Sequence, residues 1–95
     1  MIIEQLSQNG QGTIIDVRTP SEYQGGHVNG SINIPVNEIL QRLEEIKELE
    51  MPLILCCASG GRSAMATQYL KEQDMECVNA GSWHSINHLQ IQLSN

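Results

Sequence analysis

Two adjacent cysteines, two glycines, an arginine and a serine stand together in Cys56-Cys57-Ala58-Ser59-Gly60-Gly61-Arg62-Ser63. A thiol is a strong nucleophile only as its thiolate. Its pKa of roughly 8.5 falls beside a helix N-terminus or a cation. The run Leu53-Ile54-Leu55-Cys56-Cys57 is unbroken and apolar, as in a strand buried on both faces, and a helix is expected to begin near Arg62 and continue through Met65, Ala66, Tyr69 and Leu70 to about Gln73. Cys57 therefore falls at a strand end, on a strand-to-helix turn. Gly60 and Gly61 let successive backbone N–H groups point inward as an anion-binding nest. The helix adds its positive end, and Arg62 can reach the same centre. Such a cup stabilises a thiolate and receives an oxyanion or a sulfane sulfur above it.

Counted from Cys57, the loop resembles the Cys-x-x-Gly-x-Arg-Ser active loop of the rhodanese family. A second match lies upstream: Asp16-Val17-Arg18, then Glu22-Tyr23, then Gly26-His27-Val28-Asn29-Gly30-Ser31-Ile32-Asn33-Ile34-Pro35 is similar to that family's Asp-Val-Arg, Glu-Tyr/Phe and Gly-His-Ile-x-Gly-Ala-x-Asn-Ile-Pro signature. The resemblance implies a sheet flanked by helices and a sulfurtransferase without cofactor or metal. Cys57 would take sulfur from a small anionic donor such as thiosulfate and pass it to cyanide, a thiol or a sulfur-carrier protein. The N–H groups of Ala58, Ser59, Gly60, Gly61, Arg62 and Ser63 would hold its charge. Arg62 attracts the donor or braces the loop, and Ser63 hydrogen-bonds the thiolate or caps the helix.

Counted from Cys56, the same residues read Cys-x5-Arg-Ser, which is similar to the cysteine phosphatases and arsenate reductases. Those usually carry glycine three residues after the nucleophile. From Cys56 that position is Ser59, whereas from Cys57 it is Gly60. Side chains alternate along a strand, so if Cys57 points into the loop, Cys56 points into the sheet packing. A relay or binding module with little turnover of free thiosulfate is the other alternative.

Other candidates are weaker. Arg18 follows the first strand and is a candidate for binding an anionic donor, although an ion pair with Glu22 or another structural partner is the simpler role. His27 belongs to the family's fold signature, and sulfur transfer from a preformed thiolate needs no general base. His84 and His88 are four apart with no third metal ligand nearby. Cys77 reads as an inert thiol in an apolar stretch.

The elements that must position the loop alternate. Thr13-Ile14-Ile15-Asp16-Val17 and Ile32-Asn33-Ile34 read as strands, and Ile39, Leu40, Leu43, Ile46 and Leu49 fit one amphipathic helix from Val36, capped by Asn37 and ending before Pro52. Glu76-Cys77-Val78 reads as the last strand, and a terminal helix follows from Ser82 with Ile86, Leu89 and Leu93. Only Ile2-Ile3 can supply the first strand common in the family. Ala80-Gly81-Ser82-Trp83 departs from the Gly-Gly-x-x-x-Trp segment of many members. The fold class is α/β, a mostly parallel sheet of four to five strands with helices on both faces. In such sheets ligands gather at the carboxyl ends of the strands.

The 95 residues fit a single domain, 1–95. Phenylalanine is absent, so the core must be aliphatic. The formal charge is -6, with only Arg18, Arg42, Lys47, Arg62 and Lys71 as fixed cations, which disfavours nucleic acid and anionic membranes as partners. No apolar run approaches a membrane span, and the first residues do not resemble a secretion signal. A cytoplasmic protein with reduced cysteines is expected.

Overall fold

The computed structural model describes residues 12–86. Its frame is a four-stranded parallel sheet in the order β2-β1-β3-β4: β1 (Thr13–Asp16), β2 (Ile32–Asn33), β3 (Leu53–Cys57) and β4 (Cys77–Ser82). The β-branched residues of β1 favour the pleated conformation. All five residues of β3 are buried, because this strand is central and covered on both sides. The two short inner strands place Asp16, Cys56 and Cys57 together at the carboxyl edge, where Val17 N–H continues the ladder by donating to the Cys56 carbonyl at 2.9 Å.

Alternation along the strands divides the core. On one face Ile15, Val17, Leu53, Leu55 and Cys57 pack with Ile39, Ile46, Ala66 and Leu70. On the other, Ile54 and Cys56 pack with Val28 and Ile86, flanked by Ile14, Val78, Ala80 and Trp83. Burying one such aliphatic side chain contributes roughly 1.5–3 kcal/mol. The first face is covered by α2 (Leu43–Lys47) and α3 (Gly61–Glu72), and the second by Val28 and a helical turn over residues 83–86. Among the described residues no helix is long and apolar enough to cross a membrane.

Three expectations need correction. The helix expected from Val36 is instead two 3-10 turns, Val36–Glu38 and Leu40–Arg42, followed by the short α2. The break falls at Arg42, which leaves helical geometry at φ −113°, ψ 25° while its guanidinium binds Glu38 and Glu45. A 3-10 turn repeats every three residues and buries Ile39 much as an α-helix would, so apolar spacing could not separate the two. Asn37 lies inside the first turn and caps nothing; Pro35 precedes it.

A helix was also missed. Thr19 caps α1 (Pro20–Gln24), with Pro20 at its first position and Glu22 closing a capping box through the Thr19 amide. The signature Thr-Pro-Ser-Glu was present in the sequence. The last strand begins at Cys77 and runs four residues beyond Val78, to Ser82, with a bulge that admits Ala80 between the pairs Leu55–Asn79 and Cys56–Gly81. The segment Ile2-Ile3, His88, Leu89 and Leu93 lie outside the described residues.

Candidate active site

Cys57 ends β3 and α3 begins four residues later, so Ala58, Ser59 and Gly60 must reverse the chain within one short turn. Gly60 makes this possible with φ 104°, and a Cβ there would lie 3.4 Å from the Gly81 Cα. The turn folds its amides onto the cysteine. Gly60 N–H donates to the Cys57 Sγ at 2.9 Å, and the Ser63 Oγ lies 3.4 Å from the same sulfur. Cys57 is only 1% exposed and Ser63 is fully buried, while Ala58, Ser59 and Gly61 face solvent.

Burial alone would push the Cys57 thiol up. The Ser63 hydroxyl and the amides of Ser63, Gly60 and Ser59 outweigh it, so the thiol lies below its ordinary value. Its neighbour shows the reverse. Cys56 is on the opposite face of β3, where burial first and the Asp16 charge second push its thiol up to about 12. Cys77 at the start of β4 is likewise raised by burial. One loop thus separates two adjacent cysteines into an activated thiol and an inert one. All three cysteines are free of disulfides.

Ser63 does not cap α3 in the usual way, since Gly60 occupies the cap without a side-chain bond. Its hydroxyl approaches the Gly60 carbonyl at 3.1 Å and Asn79 Oδ1 at 2.6 Å. Asn79 was not foreseen. It sits on β4 across from Leu55, and no spacing rule marks an asparagine between Val78 and Ala80 as part of a cysteine loop.

Arg62 braces the loop. Its Nη1 and Nη2 bind the two carboxylate oxygens of Glu22 at 2.7 and 3.0 Å, tying the head of α3 to α1. Arg62, with the Thr19 amide behind it, holds the Glu22 carboxyl down at about 2, so the pair stays charged well into acid. Both side chains are about one-third exposed, and such a pair contributes little stability in water.

Arg18 has a structural partner, the simpler of the two roles expected for it. Its guanidinium is nearly buried, gives Nε to both Asp16 oxygens at 3.0 Å and Nη2 to Asp16 Oδ2 and the Gly26 carbonyl at 2.7 Å each, and lies 4.6 Å over the Trp83 ring. Its partner is therefore Asp16 rather than Glu22, and these bonds commit it to the fold instead of to an anion at the loop. The early tryptophan of the last segment packs here, while its single glycine, Gly81, takes a left-handed backbone conformation at φ 81°. His27 stacks on Tyr23 with ring centroids 3.7 Å apart and places Nδ1 2.7 Å from the Tyr23 carbonyl. His84 is exposed against Trp83.

The Ser63 contact has a direct consequence. Because Cys56 and Cys77 titrate high, the lowest thiolate step in ultraviolet absorbance belongs to Cys57. Its lowered value means that reactivity rises with pH through this step and levels off above it. Ser63→Ala removes one donor from the thiolate and is expected to raise the step by about one half to one unit, the equivalent of a modest hydrogen bond. An unchanged titration would show that the hydroxyl does not donate to the thiolate.

Fold and site together define a class: an α/β protein that presents an activated cysteine in a backbone anion cup at the carboxyl edge of a parallel sheet. The family model described as Rhodanese-like domain matches residues 2–88. The chain belongs to the rhodanese-like domain family. The protein Thiosulfate sulfurtransferase GlpE of Shewanella oneidensis is 31% identical over 88 residues, covering 87% of this chain and 86% of that protein. Uncharacterized protein YqhL of Bacillus subtilis is 42% identical over 59 residues, which are 62% of this chain and 46% of that relative, so the chain spans under half of it. The solved structure "rhodanese with anions from E. coli" superimposes with a TM-score of 0.69 at 33% identity, covering 77% of this chain and 88% of that one.

Proposed function

We propose that the protein is a sulfurtransferase that carries sulfane sulfur as a persulfide on Cys57. The observation that carries this reading is the convergence of the Gly60 amide and the Ser63 hydroxyl on the Cys57 sulfur at the end of β3. In the first half-reaction the Cys57 thiolate attacks the outer sulfur of thiosulfate. The S–S bond of the donor breaks, sulfite leaves with the electron pair, and the persulfide anion remains on Cys57. In the second half-reaction cyanide or a thiolate attacks the terminal sulfur, the persulfide bond breaks, and the Cys57 thiolate returns. The product is thiocyanate or an acceptor persulfide. A sulfur-carrier protein with an exposed thiolate is an equivalent acceptor. Neither step requires a cofactor or an external redox partner.

The cup holds negative charge through each state. The Ser63 hydroxyl and the amides of Ser63, Gly60 and Ser59 supply this stabilisation, which suits an acidic protein that has few cations to spend on an anion. Arg62, held by Glu22, keeps the loop at the head of α3 and contributes long-range attraction. A compartment that keeps thiols reduced, such as the cytoplasm, suits this proposal.

Mass spectrometry after incubation with thiosulfate tests the reading. One added sulfur on the peptide containing Cys57 is expected, lost on adding cyanide as an equal amount of thiocyanate appears. A protein that takes up no sulfur would overturn it. Stable uptake without release to cyanide would assign the second half-reaction to a protein acceptor.

A further inference from the structure

The buried Ser63 hydroxyl has one proton and three acceptors within reach: Asn79 Oδ1 at 2.6 Å, the Gly60 carbonyl at 3.1 Å and the Cys57 sulfur at 3.4 Å. The orientation of the Asn79 amide follows from its other partners. Gly81 N–H can only donate, and it meets Oδ1 at 3.0 Å; the Gly60 carbonyl can only accept, and it faces Nδ2 at 3.3 Å. Oδ1 is therefore an acceptor toward Ser63, and the shortest of the three contacts takes the proton. Toward Cys57 the Ser63 oxygen then presents a lone pair. That arrangement suits a thiol, which donates S–H to it, and opposes a thiolate, which needs a donor.

We propose that Asn79 is a positioning residue that holds the Ser63 proton away from Cys57, so that Ser63 accepts from the thiol and donates to the thiolate only by leaving Asn79. The β4 bulge creates the device: the extra residue Ala80 turns the Gly81 N–H onto Oδ1 and so fixes the amide. On ionisation the thiol proton goes to solvent, the Ser63 hydroxyl swings to the sulfur, and Asn79 keeps its bonds to Gly60 and Gly81. Asn79 thereby restrains the thiolate of the free protein, while the Gly60 amide favours it throughout. The consequence for sulfur transfer rests on the proposed role of Cys57 as the sulfur carrier.

The charged and titratable groups around Cys57 are Arg62 of α3 with its partner Glu22 of α1, Asp16 and Arg18 at the end of β1, and Cys56 beside it on β3. Cys77 is at the far end of β4, opposite Leu53. None of these changes in the test. The lowest thiolate step is measured by ultraviolet absorbance in four proteins: unmodified, Asn79→Ala, Ser63→Ala and the double variant. Asn79→Ala is expected to lower the step by about half a unit, raising the thiolate fraction below it about threefold. In the Ser63→Ala background the same change should move nothing, because no proton remains to release. A merely structural role for Asn79 loosens the loop amides and raises the step instead. A rise, no change, or the same fall in both backgrounds would overturn the proposal. Asn79→Asp gives a second reading: it keeps the acceptor, adds a negative charge, and should raise the step. The titration needs no sulfur donor, so it separates the two ideas. A shift with no sulfur uptake from thiosulfate keeps the role of Asn79 and rejects the proposed activity; uptake without the shift does the reverse.

Discussion

Cys57→Ser is expected to reduce thiocyanate formation from thiosulfate and cyanide to background, a loss on the order of 10³-fold or more, whereas Cys56→Ser should keep most of the activity. A serine hydroxyl at position 57 would still accept from the Gly60 amide, but it is not ionised near neutral pH and forms no persulfide. The cup would be intact and empty of its nucleophile. At position 56 the same substitution touches only packing. The Cys56 side chain lies with Val28, Ile54 and Ile86 on the opposite face, and a hydroxyl placed there without a partner costs about 1–3 kcal/mol of stability. The two variants therefore separate into one that is folded and inactive and one that is active and less stable. The opposite pattern, or brisk hydrolysis of phosphate esters that depends on Cys56, would return the protein to the phosphatase reading. Both the raised Cys56 thiol and its position across the sheet from Ser63 argue against that reading.

The pair of cysteines shows what was legible in the sequence. Alternation along an apolar run was enough to assign opposite faces, and the position of Gly60 pointed to Cys57, because a strand has a fixed period and a tight turn needs a residue tolerant of positive φ. The parallel order of the strands followed from their alternation with helices in the same way. The segment after Val36 was less legible: apolar residues spaced for an α-helix also suit 3-10 turns, and the backbone break at Arg42 is not marked by spacing. The helix at Pro20 carried a local signal, Thr19 and Glu22 around a proline, but it is too short for hydrophobic periodicity to mark.

Side-chain pairing decides what the sequence left open at the site. Five cations and eleven acidic residues allow many ion pairs, and neither Asp16–Arg18 nor Glu22–Arg62 is dictated by spacing. Arg18 was a candidate for the donor because it stands at the right sheet edge, but the carboxylate two residues before it claims it. Asn79 was invisible for a related reason. Its role depends on a bulge that a one-residue register shift creates, and nothing in Glu76-Cys77-Val78-Asn79 announces where that shift falls.

Asp16→Asn is expected to destabilise the protein by roughly 3–5 kcal/mol, because it leaves the nearly buried Arg18 guanidinium without its counter-charge. Asparagine preserves the volume, so the change isolates charge from packing. The carboxylate now accepts four bonds from Arg18: one from its backbone amide, two from Nε, and one from Nη2. An amide oxygen can keep part of this set, but its NH₂ group would face a guanidinium that offers only donors. The Gly26 carbonyl and the Trp83 ring remain as partners, and neither carries a negative charge. For a chain of this size the loss is a large fraction of the total stability and should lower the melting temperature by at least roughly 10 °C. It should also reach the site, since the Asp16 carbonyl accepts from the Ile34 amide and from Asn33 Nδ2, and β1 supports β3 directly beneath Cys57. Thermal unfolding followed by circular dichroism checks the magnitude. A fall of less than about 1 kcal/mol would mean that water reaches Arg18 and that the pair behaves as a surface contact.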